Sequence, residues 1–105
     1  MARALKRQKK KGPTRRRIEF VLDSPQAQQV ILMGDFNHWD PNVHPMKKGD
    51  DGVWRKVVMI HPGRYEYRFW VDGEWVNDPY NTERCLNCFG SENSIIEVAA
   101  RAPHA

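Results

Sequence analysis

Three groups of residues in this 105-residue chain have types and spacings that could support chemistry. The first is "RCLNCFG", where Cys85 and Cys88 form a C-x-x-C. Thiols so spaced serve either tetrahedral zinc or dithiol exchange. A structural zinc needs four ligands, yet no second C-x-x-C or close His pair accompanies this one, and His38, His44, His61 and His104 are scattered. A thioredoxin-like site would open a helix in a βαβ unit, which the chain does not show. Ordinary thiols or a loop disulfide remain, with no metal and no cofactor expected. The second group is the carboxylates Asp35, Asp40, Asp72 and Asp78. Glycoside hydrolysis needs two carboxylates at a fixed separation, but all four sit at turns, where Asp is expected anyway. No Ser/His/Asp order or Gly-rich phosphate loop stands out, so the chain is read as noncatalytic.

The third group is aromatic. In "VILMGDFNHWDP", residues 30–41, four apolar residues read as a strand and then break into loop chemistry that still carries Trp39. Either that ring folds back to plug the core, or it is displayed to hold something; display is the reading adopted.

The elements that would position these residues follow from punctuation. From Ile18 onward turn signals recur every eight to twelve residues, the mark of an all-β sandwich or barrel. "RIEFVLDSP", "AQQVILMG", "DDGVWRKVVMI", "RYEYRFWV", "EWVND" and "SIIEVAA" read as strands, with no helix longer than a turn. Asp72-Gly73 is a strong two-residue hairpin signal. It sets Val71 opposite Glu74, Trp70 opposite Trp75, Phe69 opposite Val76 and Arg68 opposite Asn77. Alternation then gives one face to Tyr65, Tyr67, Phe69, Val71 and Val76, a core face. The other carries Glu66, Arg68, Trp70, Trp75 and Asn77. Indoles mixed with Arg, Glu and Asn suit neither a core nor a plain solvated surface, so this is read as a binding face.

Charge separates the ends from the middle. Residues 1–17 hold nine Lys and Arg and no acid; the seventeen in the chain less those nine leave eight against thirteen Asp and Glu, a net −5 over residues 18–105. The basic balance belongs to a tail, not to the domain. Residues 1–17 are expected to be disordered, residues 18–100 to form the β-sandwich, and residues 101–105 to be a disordered C-terminus. The tail could hold nucleic acid, anionic lipid or an acidic partner by charge, or simply solubilise the chain. No run approaches the ~18 apolar residues of a membrane helix. No apolar stretch follows the basic N-terminus as a signal peptide requires, so a cytoplasmic location is expected.

"ILMGDFNHWDP", "GVWRKVVMIHPGRYEYRFWVDGEWVNDP" and "FGSENSIIEV" together resemble the glycogen- and starch-binding carbohydrate-binding module. Such modules occur on the N-terminal side of isoamylases and glycogen branching enzymes and in the β subunit of AMP-activated protein kinase. The likeness covers roughly residues 18–98. It implies an immunoglobulin-like β-sandwich of about seven antiparallel strands that binds α-1,4-glucans (glycogen, starch, maltooligosaccharide, cyclodextrin) and catalyses nothing. In kinase-type members two Trp form the sugar platform and match Trp39 and Trp75. A basic residue, often Lys, matches Arg68; an apolar one, often Leu, matches Phe89; a hydroxyl and an amide match Ser91 and Asn93. The loop from Asn81 to Cys88 is slightly longer here. Branching-enzyme members often lose or hide this surface, and having both Trp fits the binding type.

The chemistry agrees with the resemblance. An indole offers a flat apolar surface to the C–H face of glucose, and two rings at an angle would match the curvature of an α-1,4 chain. Each polar residue also has a bland reading. Arg68 could pair with Glu66, Phe89 could enter the core, and Asn93 could serve a turn. Trp70 and Asn77 are read as support, with Trp70 propping Trp75, and Trp54 is assigned to packing. The alternative function is a protein-interaction domain of the same fold that docks or regulates a glycogen-metabolising enzyme or kinase. Exposed, coplanar rings would favour sugar, and rings capped by their own loops would favour docking.

Overall fold

The structure, a computed structural model, describes residues 15–100. Most of the tail and the C-terminal five residues therefore lie outside the described residues. Among the described residues eight strands form, more than the six the turn signals delimit: β1 (Arg16–Asp23), β2 (Val30–Gly34), β3 (Lys47–Lys48), β4 (Val53–Ile60), β5 (Gly63–Val71), β6 (Glu74–Val76), β7 (Arg84–Leu86) and β8 (Glu92–Val98). They build two antiparallel sheets, one ordered β1-β4-β3, the other β2-β5-β8-β7 with β6 also on β5. This is the all-β sandwich expected. Arg16 and Arg17, assigned to the tail from their charge, instead pair with Ile60 and Met59 and begin β1. Alternation explains it, because Ile18, Phe20 and Leu22 fix the register and the arginines extend the same ladder.

The sheets close over Phe20, Leu22, Val30, Leu32, Met46, Trp54, Val58, Ile60, Tyr67, Phe69 and Val98, with Leu32 and Phe69 fully buried. Trp54 packs here as expected, its indole N–H donating to the Ser24 carbonyl at 2.9 Å. β2 is buried on both faces, which accounts for its unbroken apolar run. The inner face meets the core, while the segment after it folds back over the strand. Leu32 N donates to His44 O (3.0 Å), Met46 N donates to Val30 O (2.9 Å), and Pro45 bridges to Ile31.

The β5–β6 hairpin has the register that Asp72-Gly73 demands: Val71↔Glu74, Trp70↔Trp75, Phe69↔Val76. Both turn residues have positive φ (46° and 90°), as a type I′ turn requires. The Asp72 carboxylate also caps the approach to β2, accepting from Gln28 N and from Gln29 N at 2.8 Å. The hairpin tip is thus tied to the strand beside it.

Candidate functional site

Three segments converge on the outer face of the five-stranded sheet. β5 sends Tyr67 and Phe69 into the core, so Glu66, Arg68 and Trp70 point outward. Facing residues share a side, which adds Met33 opposite Arg68, Trp75 opposite Trp70, and Asn93 opposite Cys85.

The loop after β2 brings in Trp39. Gly34 is needed where it leaves the strand, because a Cβ there would lie 2.7 Å from Glu66 O and 2.8 Å from Tyr67 Cβ. A 3-10 turn (Asp35–Asn37) follows, and then His38 and Trp39 both sit at φ 57°. Left-handed backbone at a Trp is uncommon and persists only when its surroundings hold it. Here the buried Asn37 amide does so. Its Oδ1 accepts from Gly34 N (3.0 Å) and Trp39 N (3.1 Å), while Nδ2 donates to Leu32 O (3.0 Å) and to His44 Nδ1 (2.8 Å). The Trp39 indole N–H then donates to Asp35 Oδ1 at 3.0 Å, and Asp35 Oδ2 accepts from Glu66 N at 2.8 Å. Accepting at Nδ1 requires His44 to be neutral, and burial, followed by the charge of Lys56, lowers its pKa from 6.5.

The rings form a cluster. Trp75 meets Trp39 edge-on, with centroids 5.9 Å apart and planes at 74°, and meets Trp70 at 4.8 Å and 74°. The Trp39 and Trp75 rings are therefore angled, not coplanar. Trp75 stays 43% exposed, so no loop among the described residues caps it. Arg68 stacks its guanidinium 5.3 Å from the Trp75 ring centre, and its Nη1 donates to Ser91 Oγ at 3.5 Å. Arg68 Nε is buried without a hydrogen-bond partner among the described residues. Glu66 does not take Arg68; it pairs with Arg64 at 3.1 Å.

The β7–β8 loop supplies the third wall. Gly90 at φ 86° and its N–H to Asn87 O (3.2 Å) make a tight turn, with Asn87 as its hub. Asn87 Oδ1 accepts from Phe89 N (2.9 Å) and Ser91 N (3.2 Å); Nδ2 donates to Ser91 Oγ (3.0 Å) and Asn93 Oδ1 (3.2 Å). Phe89 is 89% exposed, projecting into solvent and not into the core. Asn93 is 7% exposed, and its Nδ2 donates to Glu66 Oε1 at 3.0 Å. That bond, then the neighbouring Cys85 thiol, holds the Glu66 carboxyl below its usual range.

These side chains enclose two adjoining concavities. One, about 520 Å³, is lined by Met33, Trp39, Pro41, Trp70, Trp75 and Phe89. The other, about 310 Å³, shares Trp39, Trp75 and Phe89 and adds Asp35, Arg68, Asn87, Cys88 and Asn93. Trp39, Trp75, Arg68, Asn93 and Phe89 are thus brought together, with Ser91 bonded to their rim. Trp70 lines the wall beneath Trp75. Asn77 is elsewhere: its amide joins Glu92 O (3.0 Å) and Ser94 Oγ (2.9 Å), tying the β6 exit to β8. Sequence reasoning missed Asp35, Pro41, Met33 and Asn87. Only Asn87 carried a local signal, as the first residue of an Asn-x-x-Gly turn.

Comparison with known proteins identifies the family. Residues 6–81 match the model of carbohydrate-binding module 48 (isoamylase N-terminal domain), a span that includes Trp39, Arg68 and Trp75 but stops before Phe89. The chain is 34% identical over 82 residues to Protein FLOURY ENDOSPERM 6, chloroplastic, of Oryza sativa, covering 78% of this chain and 15% of that protein. It is 34% identical to PTST homolog 2, chloroplastic, of Arabidopsis thaliana over 70% of this chain and 13% of the relative. It is 37% identical to the 1,4-alpha-glucan branching enzyme GlgB of a Synechococcus strain over 64% of this chain and 10% of the enzyme. The chain thus spans no more than about a seventh of the length of these relatives. By the extent of the family match and its sandwich of two antiparallel sheets, the chain belongs to the carbohydrate-binding module 48 (isoamylase N-terminal domain) family.

Proposed function

We propose that this module binds α-1,4-glucans without catalysis, by stacking glucose rings on Trp39 and Trp75 at the outer face of the five-stranded sheet. The observation that supports it most is the pair of adjoining concavities walled by three indoles and Phe89, one of them lined by Arg68, whose Nε has no hydrogen-bond partner among the described residues. Pyranose rings are apolar on their faces and polar at their rims, and this surface has the same division. The coplanar rings expected of a sugar site do not form; what supports the reading instead is that the 74° angle between Trp39 and Trp75 matches the other expectation, rings angled to follow a curved α-1,4 chain. Arg68 supplies a hydrogen-bonding cation, Phe89 closes the outer side, and the Asn87–Ser91–Asn93 cluster offers hydroxyl and amide groups to the sugar rim.

Two stacked rings and a few solvent-accessible hydrogen bonds give micromolar to millimolar binding, about −8 to −4 kcal/mol. Such a module serves to hold a partner enzyme or kinase at glycogen or starch. Calorimetric titration with β-cyclodextrin and maltoheptaose tests the reading. Saturable heat that a Trp39→Ala, Trp75→Ala double variant loses while keeping its fold is the expected result. No heat at millimolar sugar contradicts it and favours docking of a protein on the same face.

A further inference from the structure

The C-x-x-C plays no part in that reading, yet it lies against the same concavity. Cys85 is in β7 with its Cα paired to Asn93, so its side chain shares the outer face, next to the Arg64 guanidinium and the Glu66 carboxylate. Cys88 is exposed in the β7–β8 loop and lines the concavity beside Arg68 and Asn93. Both thiols are unpaired. We propose that Cys85 and Cys88 are a reversible dithiol whose oxidation to an intramolecular disulfide dismantles the Phe89 loop and so releases α-glucan. The ligand half of this rests on the function proposed above.

The coupling comes from chain geometry. β7 ends at Leu86, so Cys85 lies in the strand while Cys88 lies in the turn that Asn87 caps, with only Leu86 and Asn87 between them. A disulfide holds its two Cα atoms about 4.4–6.8 Å apart. A bond between Cys85 and Cys88 closes a ring through Leu86 and Asn87, and in this proposal that constraint opens the turn built on Asn87. Phe89 N and Ser91 N leave Asn87 Oδ1, Gly90 N leaves Asn87 O, and the Nδ2 contact to Asn93 is lost. Phe89 and Ser91 are the residues these bonds position.

The oxidant is a low-molecular-weight disulfide. The Cys88 thiolate, the more accessible of the two, attacks one of its sulfurs; the S–S bond breaks and one small thiol departs. The Cys85 thiolate then attacks the Cys88 sulfur and expels the second small thiol. Two protein thiols become one disulfide, one small disulfide becomes two thiols, and the two protein protons end on the departing thiols. A small dithiol reverses both steps.

The test treats the whole chain with oxidised glutathione and reads intact mass, β-cyclodextrin affinity, and the amide NMR signals of Phe89 and Ser91. The expected product has lost two hydrogens and retains no glutathione. Its affinity is at least ~10-fold weaker, the two amide signals have moved, and dithiothreitol restores all three. A Cys85→Ser variant binds as the reduced protein does and cannot lose two hydrogens. Glutathione adducts without that loss, or a disulfide that leaves affinity and both amides unchanged, would overturn the proposal. If the reduced chain gives no heat with β-cyclodextrin, the function reading fails by itself. The amide signals then still decide whether oxidation opens the loop, and unmoved signals sink the proposal.

Discussion

At the scale of residues, the hub that the fold builds is an amide in a turn. Asn87 caps the β7–β8 loop with its oxygen and orients Ser91 and Asn93 with its nitrogen. Asn87→Asp separates the two roles, since a carboxylate keeps the acceptor for Phe89 N and Ser91 N but cannot donate to Asn93. We expect the variant to melt within a few degrees of wild type and to bind maltoheptaose about 3- to 10-fold more weakly, as befits one hydrogen bond's worth of positioning; calorimetry beside a thermal melt checks it. An equal loss in stability would mean that the amide nitrogen mainly holds the hairpin. Trp75 was legible because its direction follows from a two-residue turn and alternation. Asn87 was not, because its second role depends on Asn93, which only the paired strand brings within 3.2 Å. The left-handed backbone of Trp39 was illegible for the same reason: Asn37 and His44 hold it from positions that only the folded loop brings together.

Among elements, the β2–β3 connection carries the pH response. His44 accepts from Asn37 Nδ2, and Asn37 in turn holds Trp39. Burial lowers the pKa of His44 below 6.5, so between its folded value and 6.5 the unfolded chain binds the extra proton. Stability from this group is therefore complete above about pH 6.5 and is lost as pH falls through that window. Protonation at Nδ1 also removes the acceptor, so we expect both the melting temperature and glucan affinity to fall on acidification from pH 7. A His44→Gln variant, unable to titrate, should flatten both profiles; profiles that keep their slope would place the proton elsewhere.

The long strands were readable by alternation, and the β5–β6 register by its turn signal. β3 and β7 were not, because two or three residues display no period and such strands exist only as partners to β4 and β8. The burial of β2 on both faces shows in its apolar run, but not the segment that covers it.

For the whole molecule, charge and site are segregated. The cations concentrate before residue 18, whereas the concavities are lined by four aromatic rings with a single Arg and a single Asp. Stacking on indoles involves little counterion release, so maltoheptaose affinity should change by less than about 2-fold between 50 and 300 mM salt. Any partner held by the tail would instead be released steeply over that range. A strong salt dependence of sugar binding, read by calorimetry, would put the tail into the sugar site. The sandwich class was visible in the spacing of turns, and the angle between the rings was not, because it depends on Trp39 and Trp70 packing on Trp75 from two different segments.

Whether glucose stacks on Trp39 and Trp75 is decided by following the four indole N–H signals of nitrogen-15-labelled protein during titration with maltoheptaose. The Trp54 indole, bonded to Ser24 O in the core, serves as an internal reference. Saturable shifts are expected for Trp39 and Trp75, a smaller one for Trp70, and none for Trp54. Binding that leaves Trp39 and Trp75 unmoved would contradict stacking there and place the sugar on another face.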